Sequence, residues 1–127
     1  MYQSFRDMPV WCVAMDIAVK VHALTDSLPR KEDYGFTSQI RRSALSISAN
    51  IAEGFGRKHT LDKINFSLHS RGSLTETQSH LEYGLRVGYF QPEDIEILNT
   101  QLSCLHHDLN KLISRISPKN ATSTTTG

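Results

Sequence analysis

Ile95, Leu98, Leu102, Leu105, Leu109, Leu112 and Ile116 are separated by 3, 4, 3, 4, 3 and 4 residues. That spacing returns an apolar side chain to one side of an α-helix at every turn, and to neither face of a β-strand. A long segment with one apolar stripe must bury it against another element. Val10, Ala14, Ile17, Val21, Leu24 and Leu28 repeat the pattern near the N-terminus, with Trp11, Ala18 and Thr25 widening it to one side. Two such stripes favour helix axes packed at roughly 20°.

The intervening chain carries helix punctuation. Asp7 and Pro9 suit the start of a first helix, and Leu28-Pro29 its end, because the residue before proline is pushed out of the helical region. Arg30 to Gly35 reads as a loop. Thr37 or Ser38 is expected to cap a second helix reaching Glu53–Phe55, closed by Gly54 and Gly56. A third helix is expected from Leu61 to Val87, after Thr60 as cap. Leu61, Ile64 and Leu68 give it an early apolar edge, and Leu74, Leu81 and Leu85 a later one. Arg71, Gly72 and Ser73 interrupt the stripe. A glycine inside a helix costs about 1 kcal/mol relative to alanine, so Gly72 points to close backbone packing. Gln91-Pro92-Glu93-Asp94 opens the fourth helix.

Four amphipathic helices with short connections and no strand alternation predict an all-α fold. The expected architecture is an antiparallel, up-down-up-down four-helix bundle spanning residues 1–117. The Ser/Thr-rich stretch 118–127 lacks periodicity and is expected to be a disordered tail. A chain of 127 residues suffices for one core. No run approaches the roughly 18 apolar residues of a membrane span, and the N-terminus has no apolar leader region, so a cytoplasmic location is expected. Cys12 and Cys104 then read as reduced thiols packed as small apolar residues.

Charge is unevenly spread. Residues 30–71 hold eight Lys and Arg against four Asp and Glu, whereas residues 72–116 hold three against six. A net charge of +1 predicts no strong bulk attraction to nucleic acid. The asymmetry suits either a basic surface for an anionic partner or a subunit whose basic side meets a neighbour's acidic side.

Two constellations stand out. Glu53 lies beside the apolar stripe of the second helix, and a buried carboxylate needs a partner. A Glu53–Arg71 pair assisted by Asn50 is expected. It would be either a polar network that fixes helix register or a pocket for a small ligand, including an enzymatic site. The second constellation is basic: Arg41, Arg42, Arg57, Lys58 and Lys63 surround the second helix and the Gly54–Thr60 connection. There, a helix N-terminus and cationic side chains are able to contact phosphate or nucleic acid. The alternative is a glycine cap followed by a solvated loop. Six histidines include no i, i+4 pair and no H-E-x-x-H motif, so neither a metal nor a cofactor is expected. No catalytic arrangement of Ser, His and Asp is recognisable. Of the aromatics, Trp11 is expected in the core and at least one loop aromatic at a subunit contact.

Arg6-Asp7, Val10-Trp11, Tyr34-Gly35, Gln39-Ile40-Arg41-Arg42, Asn50-Ile51-Ala52-Glu53-Gly54 and Arg71-Gly72-Ser73 occur in this order. In these residues the chain resembles the small four-helix bundle family encoded in intervening sequences of bacterial 23S ribosomal RNA genes. The resemblance covers about Tyr2 to Ile116. It implies a cytoplasmic homo-oligomer, typically a pentameric ring, with no enzymatic activity. The chain is also similar to accessory proteins of diversity-generating retroelements, which are basic pentamers that bind nucleic acid and a reverse transcriptase. The expected function is therefore a non-catalytic oligomeric interaction protein. Its partners would be further copies of itself, and nucleic acid or a nucleic-acid-processing protein.

Overall fold

A computed structural model describes residues 1–117, and the tail expectation for 118–127 lies outside these described residues. Four long helices make up the fold: α1 (Pro9–Leu24), α2 (Phe36–Phe55), α3 (Thr60–Arg86) and α4 (Pro92–Ile116). Short 3-10 turns at Phe5–Asp7 and Arg30–Glu32 precede α1 and α2. There is no strand among the described residues. Each helix packs on its neighbour in sequence, and α4 packs back on α1. All four share one core, to which α1 gives Ile17 and Val21, α2 Ile40 and Ile47, α3 Leu74 and Leu81, and α4 Leu102, Leu105 and Leu109. The stripe of α4 is therefore used as its spacing predicts, with Leu112 and Ile116 only partly covered.

The helix ends differ from expectation for local reasons. Asp7 does not cap α1; its carboxylate accepts from Ser4 N at 3.1 Å inside the preceding turn, and Met8 takes the cap position. Helix α1 stops at Leu24, four residues before the expected Leu28, with Thr25 as its C-cap. Helix α2 begins two or three residues earlier than predicted, with Gly35 rather than Thr37 or Ser38 before it. Phe36 stacks on Tyr83 at a ring separation of 5.0 Å and lies 6.0 Å from Phe90, which draws that residue into the helix. Thr37 is consequently inside the first turn, with its Oγ1 buried and unpartnered. The two cysteines are exposed rather than packed.

The largest correction concerns α3. Its buried stripe is Ser67, Ser70, Leu74, Thr77, Leu81 and Gly84, a regular 3-4-3-4-3 series. Leu61 is 68% exposed and Leu68 38% exposed, so the apolar edge predicted from them lies on the outside. Small buried residues let α2 and α3 approach closely. A Cβ at Gly54 would stand 3.1 Å from Phe66 Cβ, so Gly54 serves packing rather than the helix cap. A Cβ at Gly84 would overlap the Phe90 ring. Gly72, by contrast, faces open space, with nothing within 4 Å of a Cβ placed there. The close packing inferred for it does not occur within the chain. Gly88 ends α3 with φ +85, a left-handed conformation that glycine adopts without penalty.

Candidate functional site

The hydroxyls buried between α2 and α3 bring their own hydrogen-bond partners. Ser70 Oγ donates to the Ile47 carbonyl at 2.8 Å, a bond between helices. Thr77 Oγ1 lies 2.9 Å from Ser43 Oγ and 2.9 Å from the Ser73 carbonyl. Ser43 in turn reaches the Ile40 carbonyl at 3.1 Å. Satisfied groups of this kind fix helix register without a buried charge. This seam performs the structural task that sequence reasoning gave to Asn50, Glu53 and Arg71.

Those three residues do not form one cluster. Glu53 is exposed on the outward side of α2 and accepts from Arg57 at 3.2 Å, four residues on in the connection that follows the helix. Asn50 Nδ2 donates to the Ser46 carbonyl at 2.8 Å. Arg71 donates to Asn110 Oδ1 at 2.9 Å, which places it on the α4 side of α3. Each residue step rotates a helical side chain by about 100°. The residue after the inward Ser70 therefore turns toward α4, and the body of α3 stands between Arg71 and Glu53. Asn110 Nδ2 continues the chain of contacts to His106 Nδ1 at 3.3 Å.

The basic set is also largely engaged. Arg41 Nε donates to Thr25 Oγ1 at 2.7 Å, and its Nη2 reaches the His22 carbonyl at 3.2 Å and Asp26 at 3.1 Å. It thereby closes the C-terminal end of α1. Lys63 does the same for α2, donating to the Gly54 carbonyl at 3.3 Å and the Phe55 carbonyl at 3.2 Å. A cation on free carbonyls at a helix C-terminus also complements the helix dipole. Sequence reasoning missed both roles. The available signal was a Lys or Arg early in the helix that follows a helix end. Arg42 pairs with Glu76 at 2.7 Å, and His80 meets the same carboxylate oxygen at 3.3 Å. Arg57 also lies over the Phe66 ring, 4.7 Å from its centre. Lys58 is exposed, with no side-chain partner among the described residues.

Among the described residues no group of three His, Cys, Asp or Glu side chains is placed to hold a metal ion. No helix there is long and apolar enough to cross a membrane. Shallow depressions mark the surface of the described residues. One, of about 430 Å³, has Ala49, Ala52, Glu53, Gly56 and Arg57 as its walls. Another, of about 540 Å³, lies where the N-terminal segment meets the last turns of α4, with Met8, Leu112 and Ile116 below and Lys111 and Arg115 at its edge.

Two titrating groups are shifted by specific contacts. Asp16 is held below the usual carboxylate value, first by the Gln101 amide and then by Lys20. Gln101 donates to it at 3.0 Å, while Lys20 reaches the Gln101 oxygen at 2.9 Å, linking α1 to α4. Tyr89 is pushed up by its hydrogen bond to Glu32, which measures 2.6 Å.

These features can be set beside known proteins. The family model of the 23S rRNA-intervening sequence protein matches residues 6–111. A crystal structure of a protein of unknown function, from the S23 ribosomal protein family of Bacteroides thetaiotaomicron, is similar with a TM-score of 0.74 and 25% identity. The alignment covers 82% of this chain and 97% of that one. No curated protein matches the chain. The match over residues 6–111 contains every helix but the last turn of α4, and on it the chain belongs to the 23S rRNA-intervening sequence protein family.

Proposed function

We propose that this chain is a non-catalytic, self-associating building block: an up-down-up-down four-helix bundle that assembles in the cytoplasm as a ring of identical copies. The observation that carries this reading is the outer face of α3. Leu61, Asn65, Leu68, Gly72, Thr75 and Ser79 are all exposed and follow helical spacing without a single charge. Surface helices of monomeric proteins usually present charge on the side away from the core. An uncharged face with Leu61 68% and Leu68 38% exposed suits coverage by another chain. On α2, Leu45 at 55% exposure extends the same character. The family resemblance supplies a count of five copies. Native mass spectrometry of the full chain tests the reading: a single multiple of the chain mass, five by resemblance, is expected, and a spectrum of single chains would refute it.

A second reading, contact with nucleic acid or a nucleic-acid-processing protein, rests on one observation. Arg57, Lys58 and His59 are exposed side by side before α3. Of the other candidate basic residues, Arg41, Arg42 and Lys63 are engaged within the chain, so the phosphate contacts from this surface would be few and the salt dependence shallow. RNA retention measured across salt concentration, for the parent and for the Arg57→Ala/Lys58→Ala variant, tests it. Identical retention in the two proteins would eliminate this surface.

A further inference from the structure

Glu53 and Arg71 are opposite charges that a single chain keeps apart. The Arg71 guanidinium is half-buried at the α3–α4 edge, and its side-chain partner is the neutral Asn110 oxygen. No carboxylate lies within ion-pair distance of it among the described residues. Glu53 has a side chain 59% exposed, and its ion-pair partner is Arg57, just past the end of α2. Exposed pairs of that kind are weak and readily exchanged.

Each charge stands beside small or uncharged residues. Next to Glu53, Ala49, Ala52 and Gly56 line the depression of about 430 Å³, with Arg57 as its remaining wall. Beside Arg71, Gly72 leaves open space and Leu68 projects outward, 38% exposed. A surface with a small-residue floor and an acid thus stands on α2. A surface with a projecting leucine and a cation without a carboxylate stands on α3.

We propose that these two surfaces meet between copies, so that Glu53 of one copy pairs with Arg71 of the next. This rests on the self-association reading above and names the faces that carry it. The two faces are different, so the contact is head to tail, and its repetition by a closing rotation gives a ring. Charge favours this direction: the α2 depression already holds both Glu53 and Arg57, whereas Arg71 has no carboxylate of its own, so α2 against the α3–α4 edge gives that cation its first acidic partner. The planar guanidinium is able to grip a carboxylate with two parallel bonds while keeping a further N–H for Asn110.

The test is sedimentation velocity on the full chain with Glu53→Arg, Arg71→Glu and the double reversal. Each single reversal sets like charges together and is expected to weaken association on the order of a hundredfold. The double reversal restores opposite signs and is expected to recover most of the lost association. Recovery is a readout that a purely structural role for either residue would not give. Far-UV circular dichroism monitors folding. Should Arg71→Glu fail to fold, the exposed Glu53→Arg variant and the milder Arg71→Gln decide, both being expected to weaken assembly. An oligomeric parent whose association ignores the reversals overturns this pairing alone. A parent that sediments as single chains overturns the pairing and the self-association reading together.

Discussion

Replacing Gly84 by alanine should destabilise the protein, although alanine is the better helix former. Gly84 sits in the last turns of α3, fully covered, and an added Cβ would overlap the Phe90 ring edge. Phe90 is 3% exposed. Its backbone N–H is 3.2 Å from the Gly84 carbonyl, and that of Tyr89 is 2.8 Å from the same oxygen. The ring therefore cannot swing aside without loosening the bonds that end the helix. Alanine gains about 1 kcal/mol of helix propensity. Overfilling a packed site costs about 1–3 kcal/mol, and expelling the ring altogether would cost about 3–5 kcal/mol. The overlap reaches two ring carbons, so the upper part of the overfilling range applies, and the net loss is about 1–2 kcal/mol. For a chain of this size that lowers Tm by roughly 4–8 °C. Gly72→Ala is the comparison at a site that meets nothing within one chain, where it gains about 1 kcal/mol; a neighbouring copy on the α3 face would reduce that gain. Urea unfolding monitored by far-UV circular dichroism, at one fixed protomer concentration, measures both. If Gly84→Ala were as stable as Gly72→Ala, the reasoning about close approach would be wrong.

Ser70→Leu would complete an apolar stripe on α3, yet it should destabilise by at least about 1–3 kcal/mol, because Ser70 is fully buried; urea midpoints show the sign. Asp16 has its folded value lowered from 3.8, so its contribution is complete above that pH and is lost as pH falls through the lower folded value. Because the Asp16 side chain is 51% exposed, the effect stays below about 1 kcal/mol. Asp16→Asn should flatten this part of the acid-unfolding curve. Tyr89 has its folded value raised from 10.0, so its contribution is complete below that pH and is lost as pH rises through the higher folded value. In Glu32→Gln, ultraviolet titration of the phenols should show one tyrosine returning toward 10.0.

How far these outcomes could be read from sequence differs between helices. Helix α4 was legible because Leu98, Leu102, Leu105 and Leu109 are both apolar and inward, so hydrophobicity and burial agree. In α3 they part. Ser67, Ser70, Thr77 and Gly84 occupy the inward positions, and a search for apolar residues passes over them. Leu61 and Leu68 satisfy the search but face outward. Leu74 and Leu81 are inward as predicted, but in the first half of the helix Ser67 and Ser70 take the inward positions expected of Leu68 and its successor, which turns Arg71 from α2 toward α4. The expected Glu53–Arg71 pair fails for that reason. The roles of Arg41 and Lys63 depend on which carbonyls lie within reach once helices pack, and periodicity carries no such information. Family membership was readable from Arg41-Arg42, Asn50 to Gly54 and Arg71 to Ser73, whose matching positions fall within residues 6–111.

The central claim is that the uncharged outer face of α3 and the small-residue surface beside Glu53 on α2 exist for other copies of the same chain. Multi-angle light scattering of the full protein, with and without added RNA, tests it most directly. One mass is predicted, an integral multiple of the single chain and unchanged by RNA. A mass equal to one chain at every concentration would contradict it.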